Sequence, residues 1–182
     1  ERERIERELA EKRHALRSIE RIARHGDLMP YNVALRSGPD YRVASIRCNT
    51  TAERMIEDSG QLVYTLFDEL ERLKVQPTDP YMCINESPDS QGNIVVHACV
   101  GVSGSEITDD RVAMIDVRGG MEAWLTHVGA YEELGIAYHA LSAWAQERGH
   151  EQRAALREIY RNDPADTPVD DLITEVILPI AS

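Results

Sequence analysis

Residues 121–180 run MEAWLTHVGAYEELGIAYHALSAWAQERGHEQRAALREIYRNDPADTPVDDLITEVILPI. Met121–Val128, entered through Gly119-Gly120, reads as a strand. Tyr131–Arg148 places Leu134, Tyr138, Leu141 and Ala145 on one face of a helix, and Gly149 ends it. Leu156–Arg161 is a second strand, NDPADTP (162–168) a turn, and Leu172–Ile180 a third strand. The order is strand, helix, strand, strand.

The same order lies upstream. Tyr41–Arg47 is a strand, and Ile56, Val63, Leu66, Phe67, Leu70 and Leu73 form the apolar stripe of a helix reaching about Lys74. Thr51 is its candidate cap, with Arg54 rather than Glu at the capping-box partner position. Pro77-Thr-Asp-Pro80 turns the chain into Tyr81–Asn85, SPDSQGN (87–93) is a hairpin link, and Ile94–Val102 is a buried strand. Short strands precede each half: Tyr31–Leu35, joined to Tyr41 by Ser37-Gly-Pro-Asp40, and Arg111–Val117. A shift of about 80 residues lays Tyr41–Arg47 on Met121–His127 and Val95 on Glu175, a likeness of pattern without identity. Duplicated strand–helix–strand–strand halves predict an α+β fold, one antiparallel sheet with both helices on one face. The opposite face is then covered, solvated or used for a ligand.

The first 26 residues differ in kind. Ile5, Leu9, Lys12, Leu16, Ile19 and Ala23 follow the four-three spacing of a coiled-coil seam, with Gly26 and Pro30 at its end. The expected domains are a dimerisation helix over 1–26 and a globular domain over 30–182. The chain opens on Glu1 without a secretory signal, and the expectation is a cytoplasmic fragment whose N-terminal partner domain has been removed. Of its 182 residues 42% are hydrophobic and 29% charged, a globular balance, and no apolar run approaches the roughly 20 residues of a membrane span. Net charge is −12, but residues 1–25 hold eight bases and six acids, leaving 26 acids against 12 bases beyond. So acidic a body opposes phosphate contact and suits cations or neutral organics.

Three steps make the reading specific: His127-Val-Gly129-Ala-Tyr131, Glu158-Ile-Tyr160-Arg-Asn-Asp163-Pro164, and Thr174-Glu175 followed by Pro179. Their order and spacing resemble the GyrI-like effector-binding domain over roughly residues 30–181. The leading charged helix is similar to the dimerisation coiled coil of MerR-family transcription regulators. The resemblance implies a pseudo-twofold domain with an aromatic pocket for drug-like, lipophilic, cationic small molecules. It implies a homodimer through the N-terminal helix, and DNA contact only through a winged-helix head absent from this chain. It also implies Glu175 as the acidic centre.

The residues speak to that centre independently. Alternation sets Glu175 beside Ile173 and Ile177, where desolvation raises a carboxyl pKa and leaves it in need of a cation; an edge-strand Glu facing water is the ordinary alternative. Tyr160 and Glu158 share strand parity and are the next ligand-binding candidates, against a Tyr simply packed in the core. Trp124, Met121, Tyr81, Met82 and Tyr64 follow as adaptable or aromatic lining. Trp144 is read as helix-on-sheet packing. No cofactor is expected. Histidines and cysteines are too scattered for a metal site, Cys48 and Cys99 read as small buried residues, and His127 reads as structural.

A sensor of small molecules is thus the leading expectation. The alternatives are a GyrI-like hydrolase of reactive natural products using Glu158 and Glu175 as a carboxylate pair, and an acidic module that neutralises a basic protein.

Overall fold

The stripe expected after residue 51 forms helix α1 (Met55–Leu73). Its Leu62, Leu66 and Leu70, one turn apart, bury against Ala44, Val96, Ala98 and Val100 of the sheet. Each leucine so buried stabilises the fold by roughly 2 kcal/mol. Ile56, expected on that face, is instead 46% exposed. The helix ends where Lys74 takes a left-handed conformation, its N–H reaching back to Glu71 and Leu70. Its start departs from expectation. Thr51 ends a strand, Arg54 is the cap residue without a capping side-chain bond, and Asp58 is instead held by Thr50 (2.6 Å) and Arg54 (2.8 Å).

This computed structural model describes residues 31–103 and 106–181. The expected dimerisation helix over 1–26 lies outside the described residues. The strands are β1 (Ala34–Gly38), β2 (Tyr41–Thr51), β3 (Pro77–Asn85), β4 (Asn93–Val102), β5 (Ala113–Val117), β6 (Gly120–Val128), β7 (Leu156–Tyr160) and β8 (Ile173–Pro179). Helix α2 (Leu134–Glu147) follows a 3-10 turn at Tyr131–Glu133 and buries Leu134, Ala137, Ala140, Leu141 and Ala145. The expected turn at 77–80 belongs to β3, whose register with β4 shifts between Thr78 and Tyr81.

All pairings are antiparallel, in the order β1-β6-β8-β7-β3-β4-β2-β5. The halves β2-α1-β3-β4 and β6-α2-β7-β8 meet where β3 pairs with β7. Both helices lie on one face: Asn85 of β3 reaches Tyr138 of α2, while Tyr81 and Cys83 of the same parity pack with α1. The 80-residue shift keeps parity where it lays Val95 on Glu175, both facing away from the helices, but loses it between β2 and β6. It superposes Val43 on Ala123, yet Val43 clusters with Trp124, whose neighbour Ala123 points the other way.

The turn at Ser37–Asp40 is not a hairpin. β1 pairs with β6 of the other half, and β5 pairs with β2, so each half lends a strand to its twin. These two ladders share one register, Ala34↔Trp124 to Gly38↔Gly120 and then Tyr41↔Val117 to Ser45↔Ala113. At the crossing Asp40 accepts the Gly119 N–H at 2.7 Å, and a Cβ on Gly119 would collide with the Gly38 carbonyl. This ribbon links the two edges of the six-stranded core. The face away from the helices therefore curls over a buried cluster of its own: Val43, Met82, Cys99, Val117, Ile159 and Ile177.

Candidate functional site

The middle of the helix-side face is built by β3 and β7. Register sets Tyr81 beside Tyr160 and Cys83 beside Glu158, with Asn85 one step along. Glu158, 6% exposed, accepts the Tyr160 hydroxyl at 2.5 Å and the Asn85 amide at 2.8 Å. The same Asn85 nitrogen donates to the Tyr138 hydroxyl at 3.0 Å. Tyr131 meets Tyr160 edge-on, ring centres 5.5 Å apart, and Phe67 of α1 stacks on Tyr81 at 6.0 Å. Both helices and both halves thus contribute rings around one carboxyl.

Its electrostatics are unusual. Among the described residues no Arg, Lys or His pairs with Glu158. Burial pushes its carboxyl above the usual range, and the hydrogen bonds from Tyr160 and Asn85 pull it partly back. Burial beside that carboxyl raises Tyr160 and lifts Tyr131 to about 12. The Cys83 thiol is likewise pushed up by burial and by Glu158, so it is no nucleophile.

The other candidates scatter. Glu175 lies on the opposite face, because its neighbours Thr174 and Val176 take the helix side. It is not the unpaired, raised carboxyl that alternation suggested. Burial would raise it, but Arg161 at 2.9 Å and Arg36 at 3.0 Å outweigh that and hold it below the usual range. Arg36 also bonds Glu122 at 2.6 Å and lies over Trp124, 4.5 Å from the ring centre. Glu158 and Glu175 therefore do not converge as a carboxylate pair. Met82, 1% exposed, and Trp124 belong to the curled face. Tyr64 points outward from α1 at 70% exposure, and Met121 pairs with Ser37 near the crossing ribbon.

Glu158, Tyr160 and Tyr81 are the expected residues that the fold brings together. Asn85, Phe67, Tyr131 and Tyr138 complete the cluster. The parity of 81, 83 and 85 was the available signal for Asn85. The helical partners needed the packing of the two helices. Two surface hollows of about 580 and 320 Å³, around Gln152–Ala155 and Leu73–Val75, lie elsewhere. Among the described residues no helix is long and apolar enough to cross a membrane.

Known proteins share this arrangement of strands and helices. The EcmrR–DNA complex seen by cryo-EM is similar at a TM-score of 0.75 and 17% identity, covering 98% of this chain and 69% of that one. The crystal structure of the EcmrR C-terminal domain matches at 0.68 and 19% identity, over 84% of this chain and 98% of that one. SAV2435 bound to tetraphenylphosphonium matches at 0.60 and 14% (83% and 94% covered). A hydrolase encoded by lin2189 from Listeria innocua matches at 0.53 and 12% (82% and 92%). At such identities the likeness is one of fold. No curated protein sequence matches the chain significantly. The family model of the GyrI-like small molecule binding domain matches residues 32–181, spanning every described strand and both helices, and the chain belongs to that family.

Proposed function

We propose that this domain senses lipophilic organic cations, which enter between α1 and α2 and pair with Glu158. The observation that carries the reading is a buried carboxyl with neutral partners in a ring of Tyr81, Tyr131, Tyr138, Tyr160 and Phe67. A desolvated carboxylate left without a cation is costly, and a ligand that supplies one recovers that cost while aromatic faces add cation–π attraction. SAV2435, which shares the fold, is bound to tetraphenylphosphonium in its structure.

Sensing requires that the ligand favour one arrangement of a larger assembly, since equal affinity for two states shifts nothing. The setting we propose is a cytoplasmic MerR-type regulator, with residues 1–26 as the dimerisation helix and DNA-binding heads outside this chain. EcmrR, whose fold is shared, is seen in complex with DNA. A monomeric mass for this chain in sedimentation equilibrium would sink the dimer.

Calorimetric titration with tetraphenylphosphonium tests the site. Glu158→Gln should weaken binding by more than about tenfold, and Glu175→Gln by less than about threefold. Absence of binding, or a larger loss at Glu175, overturns the assignment. A second reading rests on the raised carboxyl of Glu158, which suits a general acid in hydrolysis. Turnover of a strained cyclopropane substrate, lost in Glu158→Gln, would establish it. Binding of the intact compound without turnover would reject it.

A further inference from the structure

We infer that the ligands favoured by this site are aromatic cations that carry N–H donors, such as protonated amines and amidinium groups, in preference to fully alkylated cations. The inference rests on the cation-binding reading above and deepens it, and it comes from the second polar group on the floor of the site.

Asn85 is 8% exposed, and its side-chain nitrogen is committed twice, to Glu158 at 2.8 Å and to Tyr138 at 3.0 Å. That leaves Oδ1 buried and without a hydrogen-bond partner among the described residues. The reverse amide orientation would set this oxygen against the Glu158 carboxylate, so an ionised Glu158 fixes the nitrogen inward. A buried carbonyl oxygen with no donor carries a desolvation cost that a ligand N–H removes. Glu158 has accepted one bond on each oxygen and retains lone pairs of its own. The floor therefore offers acceptors from two adjacent side chains, one anionic and one neutral. Of the donors beside them, the Tyr160 hydroxyl is spent on Glu158, and the Asn85 amide on Glu158 and Tyr138.

That set discriminates. A quaternary or phosphonium cation satisfies the charge of Glu158 through space but leaves Oδ1 of Asn85 as it was. A cation with two N–H groups on one edge answers both acceptors, and the aromatic ring holds its flat body. The half-buried rings of Tyr131 and Tyr138 must part to admit either ligand, a cost common to both. The preference therefore appears in the ratio of affinities within a matched pair.

The test titrates the intact chain with 9-aminoacridinium, which bears N–H groups, and with 10-methylacridinium, which has the same ring system and charge but none. The 9-amino compound should bind about tenfold more tightly, the scale of one hydrogen bond to a buried acceptor. In Asn85→Ala both affinities fall and the ratio drops to about one. Equal affinities for the unaltered chain overturn the inference and leave the cation site standing. A preference that persists in Asn85→Ala overturns the role of Asn85. Failure of both dyes to bind overturns the cation site, and this inference with it. Because the first comparison needs no variant, a misfolded Asn85→Ala does not rescue the idea.

Discussion

Glu158 and Glu175 stand on neighbouring strands of one sheet, each followed by a β-branched apolar residue, Ile159 and Val176, yet they face opposite environments. Glu158 looks toward the helices, whose inward positions are leucine, alanine and aromatic rings, and it finds only Tyr160 and Asn85. Glu175 looks toward the curled face, which Arg36 reaches from β1 and Arg161 from the end of β7, each keeping part of its long side chain in water. One carboxyl is thus desolvated and held by neutral groups; the other has its cations built in. What separates a carboxyl held by neutral groups from a structural ion pair here is which face has arginines within reach.

If the curled face is a core rather than a second binding surface, removing packed volume there should damage the fold and leave ligand affinity alone. Met82 sits where the two halves join, paired with Ile159 and buried with Val43, Cys99 and Ile177. Met82→Ala should cost about 2–5 kcal/mol in urea unfolding, within the range for large-to-small changes in cores. At temperatures where the variant is folded, tetraphenylphosphonium affinity should change less than about twofold. A stable variant with weakened binding would move the site to the other face.

The two carboxyls should also leave opposite marks on the pH dependence of stability. Glu158 has its folded pKa raised above the ordinary value of 4.5, so the native state holds its proton longer than the unfolded chain. Its contribution is full below pH 4.5 and is lost as pH rises through the raised value. Glu175 has its folded pKa lowered, so its contribution is present above pH 4.5 and is lost as pH falls through the depressed value. Glu158→Gln should flatten the decline on the neutral side, and Glu175→Gln the rise on the acid side. Of the two effects that of Glu158 is the larger, because the ion pairs of Glu175 are open to water at one end. Denaturation midpoints between pH 3 and 8 for both variants check this. Matching profiles would erase the contrast between the faces.

Much of this architecture was legible in sequence, and the failures are informative. The strand–helix–strand–strand order was readable because leucines one turn apart and turn residues such as Asn162-Asp-Pro-Ala-Asp-Thr-Pro168 act locally. The exchange of β1 and β5 between halves was not, since Ser37-Gly-Pro-Asp40 looks like a hairpin turn until Gly119 is seen packing against it. The apolar neighbours of Glu175 point to a central role for it, but they report burial without reporting charge. Arg36 lies 139 positions before it, a distance that no local pattern spans. Glu158 and Tyr160 were legible as a pair by parity, whereas Tyr131, Tyr138 and Phe67 joined them only through the docking of two helices.

The finest division between the faces runs through two consecutive residues, Thr174 and Glu175. Thr174 is fully buried on the helix side, in cross-strand register with Tyr160 and His127, and its hydroxyl oxygen has no hydrogen-bond partner among the described residues. A buried hydroxyl without a partner costs free energy, and valine fills the same volume without one. Thr174→Val should therefore stabilise the domain by about 0.5–1 kcal/mol, the smallest of these effects and the one of opposite sign. The same variant also measures how far the proposed ligand site extends along β8. If the site ends at Tyr160, cation affinity is unchanged and only the thermal midpoint rises. If affinity falls while stability is flat or lower, the Thr174 hydroxyl serves the ligand or an ordered water, and the site runs on beneath the start of α2.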